Sequence, residues 1–244
     1  MPRVGSDQAS DRVSNRPPAR GTQRPTVAIL IPTLDEEESL RRHLPAAIGA
    51  ADEVVVSDGG SRDASPRLAR ELGARVVCGP TGRGGQLNRA AAAAGADVFL
   101  FLHADTALPP GGVDAVRTAV GAGARGGGFL LRFDSDRPWM RLGARLVDLR
   151  TRLTRAPLGD QAQFVTRKSF VELGGFREWP ILEDLDFIRR LRRRGRIAVL
   201  PLRVTTSARR YETGGVLRTV ARNWLIWGLY LCGISPHRLA RLYR

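Results

Sequence analysis

Apolar runs alternate with amphipathic stretches along most of the chain, and this alternation predicts strands followed by helices. Residues 27–31 form a continuous apolar run that ends at Pro32, as expected for a strand buried on both faces. Residues 36–50 then place Leu40 and Leu44 on one side of a predicted helix, because side chains four positions apart share a helical face. Further strands are predicted at 53–57, 74–78 and 97–102, and further helices at 63–72 and 85–95.

Short strands separated by helices predict an α/β fold with a mostly parallel central sheet and helices on both faces. In open sheets of this kind, ligands bind at the carboxyl ends of the strands, so the loops that follow the strands form the candidate ligand site.

The second half of the chain is less regular. Strands are predicted there at 126–133, 164–166, 197–200 and 204–207, and helices at 139–155, 183–194 and 216–234.

Polar residues directly follow the second and fourth predicted strands. Asp58, Gly59 and Gly60 come after the second strand, where the glycines allow a tight turn and a close approach of the backbone to a ligand. His103 and Asp105 follow the fourth strand at alternate positions, so they share one side of the chain. A carboxylate there suits Mg²⁺ or Mn²⁺ held against a pyrophosphate. Connector turns and caps use the same residue types, so each motif alone also fits a structural role.

Two further segments carry candidate chemistry. The glycine-rich stretch 82–85, with Arg83, leads into a predicted helix, and helix N-termini favour anions. It is not a P-loop, because no Gly-Lys-Ser/Thr follows. Glu183 and Asp184 open another predicted helix, where carboxylates complement the helix dipole, or where Asp184 serves as a general base toward an acceptor hydroxyl. The joint order of the four motifs is more specific than any one of them.

In this order the motifs closely resemble those of the family-2 glycosyltransferases, over about residues 27–207. Residues 32–36 resemble the family's Pro-x-x-Asn-Glu, with Asp35 in place of Asn. Residues 58–63 resemble its Asp-Asp-Gly-Ser-x-Asp, with Gly59 in place of the second Asp. Residues 103–105 stand where the family has Asp-x-Asp, and His103 replaces the first carboxylate. Residues 183–184 match the family's Glu-Asp pair.

The resemblance implies the nucleotide-sugar-binding fold called GT-A and an inverting sugar transfer. It implies Asp184 as the base beside Glu183, and a divalent ion, Mg²⁺ or Mn²⁺, on Asp105. Residues 207–211 are similar to the Gln-x-x-Arg-Trp motif of processive members, but Gln and Trp are absent, which argues against a processive polymerase. The donor contacts implied are Pro32, Thr33, Glu36, Asp58, Gly59, Arg83, Asn88, His103, Ala104 and Arg210.

Three further segments resemble a bacterial subgroup of this family. They are Gly-Asp-Gln at 159–161, Trp-Pro-Ile-Leu-Glu-Asp at 179–184 and Ser-Ala-Arg-Arg at 207–210. Members of the subgroup are described as diaponeurosporenoate or as arsenosugar-pathway glycosyltransferases, and these descriptions disagree about the acceptor. The resemblance therefore implies a lipid-like or small-molecule acceptor, with a carotenoid carboxylic acid as one candidate. It places that acceptor near Gln161 and Trp179, and it implies a UDP-linked donor.

Charge indicates an anionic partner. The chain has 39 Lys+Arg against 24 Asp+Glu, a formal net charge of +15, and only Lys168 among them is a lysine. Such a surface attracts phosphates, nucleic acid or anionic lipid, although a codon bias that favours Arg also produces it. The two cysteines, Cys78 and Cys232, form no disulfide framework, so a reducing cytosolic compartment is expected. The first residues include no apolar run and no stretch of 18 uncharged apolar residues occurs, so neither a secretory signal peptide nor a membrane-spanning helix is expected.

The two ends of the chain differ from its middle, which predicts three segments: 1–25, 26–210 and 211–244. The first is rich in Arg, Ser, Pro and Asp, and is expected to be disordered because it has little apolar surface to bury. The last combines Trp224, Trp227 and Tyr230 with flanking arginines. That composition predicts a helix lying in the cytoplasmic face of an anionic membrane, although a core helix has a similar pattern.

Three other functions remain open at this stage. A nucleotidyltransferase shares the βαβ opening but usually has a basic, glycine-rich loop after its first strand, where this chain has acidic residues 35–38. A nucleic-acid binder is supported by charge alone, because the arginines of 189–196 have no interleaved aromatics, and no nucleic-acid partner is expected. A degenerate transferase that binds without turnover is the third, given His103 and Gly59.

Overall fold

The structure is a computed structural model that describes residues 24–208 and 216–243. Four strands form the parallel half of its sheet: β1 (Val27–Thr33), β2 (Glu53–Asp58), β3 (Arg75–Cys78) and β4 (Val98–Phe101). The helices between them are α1 (Glu37–Ala50), α2 (Ser65–Glu71) and α3 (Arg83–Ala93). These elements confirm the alternation predicted from the apolar runs.

The second half adds shorter strands and more helices. Its strands are β5 (Thr106–Ala107), β6 (Gly126–Phe133), β7 (Phe164–Thr166) and β8 (Ile197–Thr206), and a 3₁₀ turn spans Gly159–Gln161. The helices are α4 (Gly112–Gly121), α5 (Pro138–Thr154), α6 (Arg167–Glu172), α7 (Glu183–Arg192), α8 (Val216–Leu231) and α9 (Pro236–Tyr243). The sequence pattern did not predict β5, α4, α6 or α9 as separate elements.

One eight-stranded sheet runs in the order β3-β2-β1-β4-β7-β6-β8-β5. Pairing is parallel from β3 to β4 and between β6 and β8, whereas β7 and β5 pair antiparallel with their neighbours. This confirms the mostly parallel α/β sheet. The strands predicted at 197–200 and 204–207 are one strand, because β8 stays paired with β6 across an irregularity after Phe129. Pro201 lies in that irregularity, where a missing N–H costs no ladder bond.

Buried apolar side chains cover both faces of the sheet. On one face, Ile29 and Leu100 pack with residues of α1, α4 and α5. On the other face, Leu30 and Phe99 pack with α3, α6 and α7. Residues in β1 are buried on both sides of the strand, which explains why the first apolar run shows no alternation.

The N-terminal end of the described chain contacts helix α4. Arg24 forms an ion pair with Asp114, and the Pro25 carbonyl accepts a hydrogen bond from Arg117. Residues 1–23 lie outside the described residues, and with them most of the segment predicted to be disordered. None of the described helices is long and apolar enough to cross a membrane.

A cluster of phenylalanines joins β4 to α7, the helix that begins with Glu183. The rings of Phe101 and Phe176 are 4.8 Å apart, and those of Phe176 and Phe187 are 4.4 Å apart. Phe187 is 1% exposed. The position of α7 on the sheet therefore depends on aromatic packing as well as on the polar contacts at its start.

We expect Phe187→Ala to lower the free energy of unfolding by about 3–5 kcal/mol, because it removes a buried ring and leaves a cavity. Urea denaturation followed by circular dichroism measures this change. Val171→Ala, at a position that is 70% exposed, is the matched control and should change stability by less than about 0.5 kcal/mol. Equal effects of the two substitutions would contradict the packing described here.

Candidate active site

The parallel strands β2, β1 and β4 lie side by side, so the loops at their carboxyl ends meet at one edge of the sheet. Gln86 of α3 ties the ends of β1 and β2 to the loop between β3 and α3. Its side-chain amide donates to the Thr33 carbonyl and to the Ser57 carbonyl at 2.8 Å, and its Oε1 accepts from the Gly82 amide at 3.1 Å. Gln86 is 4% exposed, so these three segments share one buried hydrogen-bonding centre. Sequence reasoning missed this residue, because a lone Gln in a helix carries no motif.

Gly59 is required by the same centre. Its amide donates to the Thr33 carbonyl at 2.9 Å. A Cβ at this position would lie 3.0 Å from the Gln86 side-chain nitrogen and 3.2 Å from the Thr81 Cα. The glycine that replaces the family's second Asp therefore has a structural cause, since Gln86 occupies the space beside it.

Asp58 is buried, and its carboxylate serves its own turn. Oδ2 accepts from the Gly60 and Ser61 amides, and Oδ1 accepts from the Ser61 hydroxyl. This is the geometry of an Asp that stabilises a tight turn. The predicted contact of Asp58 with a nucleotide base stays a prediction, and these three bonds fix the loop in either case.

The acidic loop after β1 borders a cavity of about 370 Å³, lined by Glu36, Asp63 and Arg41 among others. Asp35 has φ 54°, a left-handed conformation that costs a non-glycine residue free energy. Hydrogen bonds hold it there: the Asp35 amide donates to the Ser61 hydroxyl, and Asp35 Oδ1 accepts from the Arg62 amide at 2.7 Å. Glu36 is half-buried beside this cavity.

Asp63 joins the start of α1 to the start of α2 beside the acidic loop. Its carboxylate accepts from the Glu37 amide at 3.0 Å and from the Ser65 amide at 2.9 Å. Burial alone would raise the pKa of Asp63, but hydrogen bonds from Ser65 and from the Glu37 amide outweigh it, so the pKa of this carboxyl lies below its usual value of 3.8.

A buried ionic cluster lies at the centre of the edge. Arg83 Nε donates to Glu183 Oε1 in an ion pair between α3 and α7, and Arg83 Nη1 is 3.4 Å from His103 Nε2. Glu183 is 1% exposed. Burial raises the pKa of Glu183, a rise that Arg83 opposes and that the Asp184 carboxylate increases. The structure thus brings Arg83, His103 and Glu183 together, although about a hundred positions separate the first from the last.

Asp184 lies beside this cluster and contacts the loop after α5. Its Oδ2 accepts from the Gly159 amide and its Oδ1 accepts from the Leu185 amide, both at 2.7 Å. A Cβ at Gly159 would lie 3.0 Å from Asp184 Oδ2 and 3.3 Å from His103 Nε2. The Asp184 and His103 side chains therefore both pack closely against the Gly159 backbone. A cavity of about 10 Å³ remains between these groups and Pro32.

Asp160 is a further carboxylate of this cluster. Its Oδ1 is buried and accepts no hydrogen bond from any residue that the structure describes. Burial raises the pKa of Asp160; Arg150 opposes the rise and Asp184 adds to it. Sequence reasoning noted Asp160 only as part of Gly-Asp-Gln. Unusual backbone surrounds the cluster, because Ala162 and Leu182 are non-glycine residues with φ 44° and φ 66°, and such strain persists where the structure enforces it.

The metal ligand predicted from sequence, Asp105, is half-buried after β4. It accepts one long hydrogen bond, from the Thr106 hydroxyl at 3.4 Å. Ala104 is 6% exposed and packs in the core. Within residues 24–208 and 216–243, no three His, Cys, Asp or Glu side chains cluster as metal ligands would.

Two of the predicted contact residues have protein partners in the structure. Gln161 is 0% exposed, and its side chain bonds Arg150, Thr151 and the backbone of Leu158 and Phe129. These bonds join the Gly159 loop to α5 and β6, and contact between Gln161 and an acceptor stays a prediction. The Asn88 amide pairs with the backbone of Phe176 at 2.9 Å in both directions.

Trp179 lies beside the start of α7 and packs against the C-terminal part of the chain. Its ring centroid is 6.0 Å from that of Tyr230, and the Arg177 guanidinium is 4.9 Å from its centre. Arg210, the last predicted donor contact, lies outside the described residues.

A family model described as Glycosyl transferase family 2 matches residues 28–171, which is more than half of the chain. The chain therefore belongs to glycosyl transferase family 2, as the sequence motifs implied, and its fold is that of the GT-A glycosyltransferases.

The chain is also similar to individual proteins. A glucosyl-3-phosphoglycerate synthase of Mycolicibacterium paratuberculosis is 32% identical over a 127-residue alignment that covers 44% of this chain and 38% of that relative, so the match spans less than half of the relative's length. The Mycobacterium tuberculosis glucosyl-3-phosphoglycerate synthase in complex with Mn²⁺ and UDP-glucose is 26% identical, with a TM-score of 0.55 over 86% of this chain and 80% of that one. S. aureus TarS, residues 1–349, is 18% identical, with a TM-score of 0.60 over 80% and 64%, which is a likeness of fold.

We expect Asp63→Asn to change how stability depends on pH. A carboxyl with a lowered folded pKa contributes stability above its unfolded pKa of about 3.8, and this is lost as pH falls through the folded pKa. The difference in unfolding free energy between wild type and variant should therefore be constant above about pH 5 and shrink below 3.8. Urea titrations between pH 3 and 7 measure it. Asp136→Asn, at a carboxylate that is 92% exposed, is the control, and equal profiles for the two variants would contradict the assignment.

Proposed function

We propose that the chain transfers a sugar from a UDP-linked donor to a lipid-like or small-molecule acceptor, with inversion at the anomeric carbon and without processive synthesis. The observation that carries the proposal is the meeting of Arg83, His103, Glu183 and Asp184 around Gly159 at the carboxyl edge of the parallel strands, in a chain of glycosyl transferase family 2. That edge is where ligands bind in sheets of this kind.

The donor is proposed to lie across the edge, with its base and ribose toward Asp58 and Glu36. The cavity of about 370 Å³ beside Glu36 offers room there. Arg83 is proposed to support the diphosphate side, because it is the first residue of α3, where backbone donors favour anions, and its guanidinium is a rigid cationic donor. Glu183 positions Arg83 through their ion pair. A known relative binds UDP-glucose with Mn²⁺, which supports the choice of donor.

A divalent ion fits Asp105 in part. The carboxylate is half-buried and its one hydrogen bond is long, so its oxygens are available to a hard cation such as Mg²⁺ or Mn²⁺. With one protein carboxylate, the diphosphate oxygens would have to supply other ligands, and His103 is the neighbouring side chain. When bound, such an ion neutralises charge on the departing nucleoside diphosphate.

The acceptor is proposed to enter between the Gly159 loop and Trp179, where Asp184 would take its proton. Asp184 is suited to this, because two backbone amides hold its carboxylate in a fixed orientation. Asp160, whose Oδ1 is buried, lies beside it in the same cluster. For a carboxylic acid acceptor, such as a carotenoid acid, the nucleophile is already ionised near pH 7, and Asp184 would serve to orient it.

The C-terminal part supports a lipid-like acceptor and peripheral attachment to the cytoplasmic face of the membrane. One side of α8 packs on the body, where Ile226 is 2% exposed and Trp227 and Tyr230 contact the core. Away from this contact, Trp224 and Leu225 are exposed. The helix therefore combines the two roles that its sequence left open, core packing on one side and an exposed apolar side for a membrane surface.

A donor panel tests the transferase proposal. We expect the melting temperature to rise with one nucleotide sugar in the presence of Mn²⁺, because a ligand that binds only the folded state stabilises it by mass action. The panel comprises UDP-, GDP- and TDP-sugars, each with and without Mn²⁺. A flat panel on folded protein, together with no turnover of any donor, would favour a degenerate transferase or a binder of anionic surfaces.

Asp184→Asn separates the two roles of that carboxylate, because Asn keeps an oxygen to accept from the Gly159 amide. With a hydroxyl acceptor we expect kcat to fall by about 10²–10⁴-fold, the usual contribution of a general base. With a carboxylate acceptor the fall should be at least tenfold smaller. Single-turnover assays with each acceptor measure this, with Asp136→Asn as the surface control. Equal losses for both acceptors would contradict the assignment of Asp184 as a base.

A further inference from the structure

Helix α5 has an apolar stripe on each of two sides. Its inner side, with Met140, Ala144 and Val147, packs on the sheet. Its outer side exposes Trp139, Leu142, Leu149 and Leu153, by 50%, 52%, 55% and 76%. Spacings of three, seven and four residues place these four side chains along one line of the helix. An apolar line of this length on the outside of a helix indicates a partner rather than scattered exposure.

A row of arginines runs beside the outer stripe. Arg141, Arg145 and Arg152 are exposed, and their spacings of four and seven residues place them along a neighbouring line of α5. The only acidic residue of the helix, Asp148, is 5% exposed on its inner side. The outer surface of α5 is therefore apolar along one line and cationic along the next.

Helix α8 extends this surface. The Arg150 guanidinium of α5 is 5.8 Å from the centre of the Trp227 ring, so the two helices are neighbours. Trp224 and Leu231, which are 48% and 53% exposed, lie three residues before and four residues after Trp227, on the same side of α8. Of the ten exposed large apolar side chains among the described residues, eight are on α5, α8 and α9. This concentration distinguishes the surface from the rest of the molecule.

We propose that the outer side of α5, extended by Trp224 and Leu231, is the surface by which the chain docks on an anionic lipid bilayer. The inference rests on the membrane part of the proposed function and adds a helix from the middle of the chain to it. A helix with apolar side chains on one line and arginines beside them lies in the interface, where tryptophan is also favoured. A second copy of the chain fits less well, because its own arginine row would face this one and the net charge is +15.

This surface is linked to the acceptor side of the site. Helix α5 leads within five residues from Thr154 to Gly159, whose amide binds Asp184. Tyr230 of α8 contacts the Trp179 ring. Docking through α5 and α8 would therefore bring both walls of the proposed acceptor entrance near the bilayer, from which an amphiphilic acceptor can be taken.

Vesicle flotation tests the surface. The probe is vesicles of phosphatidylcholine and phosphatidylglycerol in equal parts, and the readout is the partition coefficient of the full chain. We expect the triple variant L142Q/L149Q/L153Q to bind about 10–100-fold more weakly, because it removes three leucines from the buried apolar area. The charge variant R141Q/R145Q/R152Q should lose binding chiefly to vesicles that contain phosphatidylglycerol.

Matched controls alter the same residue types elsewhere. L34Q/V171Q changes two exposed apolar side chains away from α5, and R42Q/R67Q/R193Q changes three exposed arginines; both should bind as wild type does. Failure of wild type to bind these vesicles would overturn the inference, as would unchanged binding of the leucine variant. If W224S/L231S abolishes binding while the leucine variant of α5 binds as wild type does, the C-terminal helix alone holds the membrane and the role of α5 is wrong.

A second measurement does not depend on the triple variant folding. Leu149→Cys in a chain with Cys78→Ser and Cys232→Ser carries an environment-sensitive NBD label, whose emission should shift to the blue with anionic vesicles. Bound protein without this shift would overturn the inference. If the leucine variant instead turns a dimer into a monomer in solution, a second copy covers the surface and the inference is wrong.

The thermal shift that UDP-sugars cause in the leucine and charge variants of α5 tests the transferase proposal separately. It should equal that of wild type.

Discussion

The ion pair between Arg83 and the buried Glu183 is the contact on which the site depends. It joins the start of α3, a helix of the parallel half of the sheet, to the start of α7, which belongs to the irregular half. Glu183 is almost fully buried, and an unpaired charge in that place would cost several kcal/mol. The pair therefore fixes how the two halves meet, and Asp184, the next residue, is carried into contact with Gly159 as a consequence.

Three carboxylates share the small space that this pair defines. Asp160, Glu183 and Asp184 are held near two arginines, Arg83 and Arg150, and burial raises the pKa of both Asp160 and Glu183. Arg150 opposes the rise at Asp160 and Arg83 opposes it at Glu183, so the cluster depends on both arginines. Its backbone is equally constrained, as the left-handed Ala162 and Leu182 show. Strain and perturbed carboxylates in the same place are typical of a site built for chemistry.

The departures of this chain from the family motifs have different explanations. Gly59 stands where the family has Asp, and Gln86 fills the neighbouring space while binding the ends of β1 and β2. His103 stands where the family has another Asp, and its Nε2 lies within 3.4 Å of the Arg83 guanidinium. The first departure accompanies close packing of Gly59 against the Gln86 side chain. The second changes the charge next to Asp105, so it bears directly on how an ion would be held there.

The sequence by itself determined the parallel half of the sheet, the fold class and the family, because buried strands, helical spacing and short motifs are properties of neighbouring residues. The Glu183-Asp184 pair was identified for the same reason. Only the tertiary structure decided which residues meet: Gln86 has no local signal, the Gly-Asp-Gln segment does not show which groups Gly159 and Asp160 meet, and their roles arise from atoms far along the chain. It also decided that Gln161 is fully buried, whereas its motif placed it at the acceptor. The outer side of α5 shows the same limit, since a periodic pattern reveals that a helix has apolar stripes and only packing reveals which of them is covered.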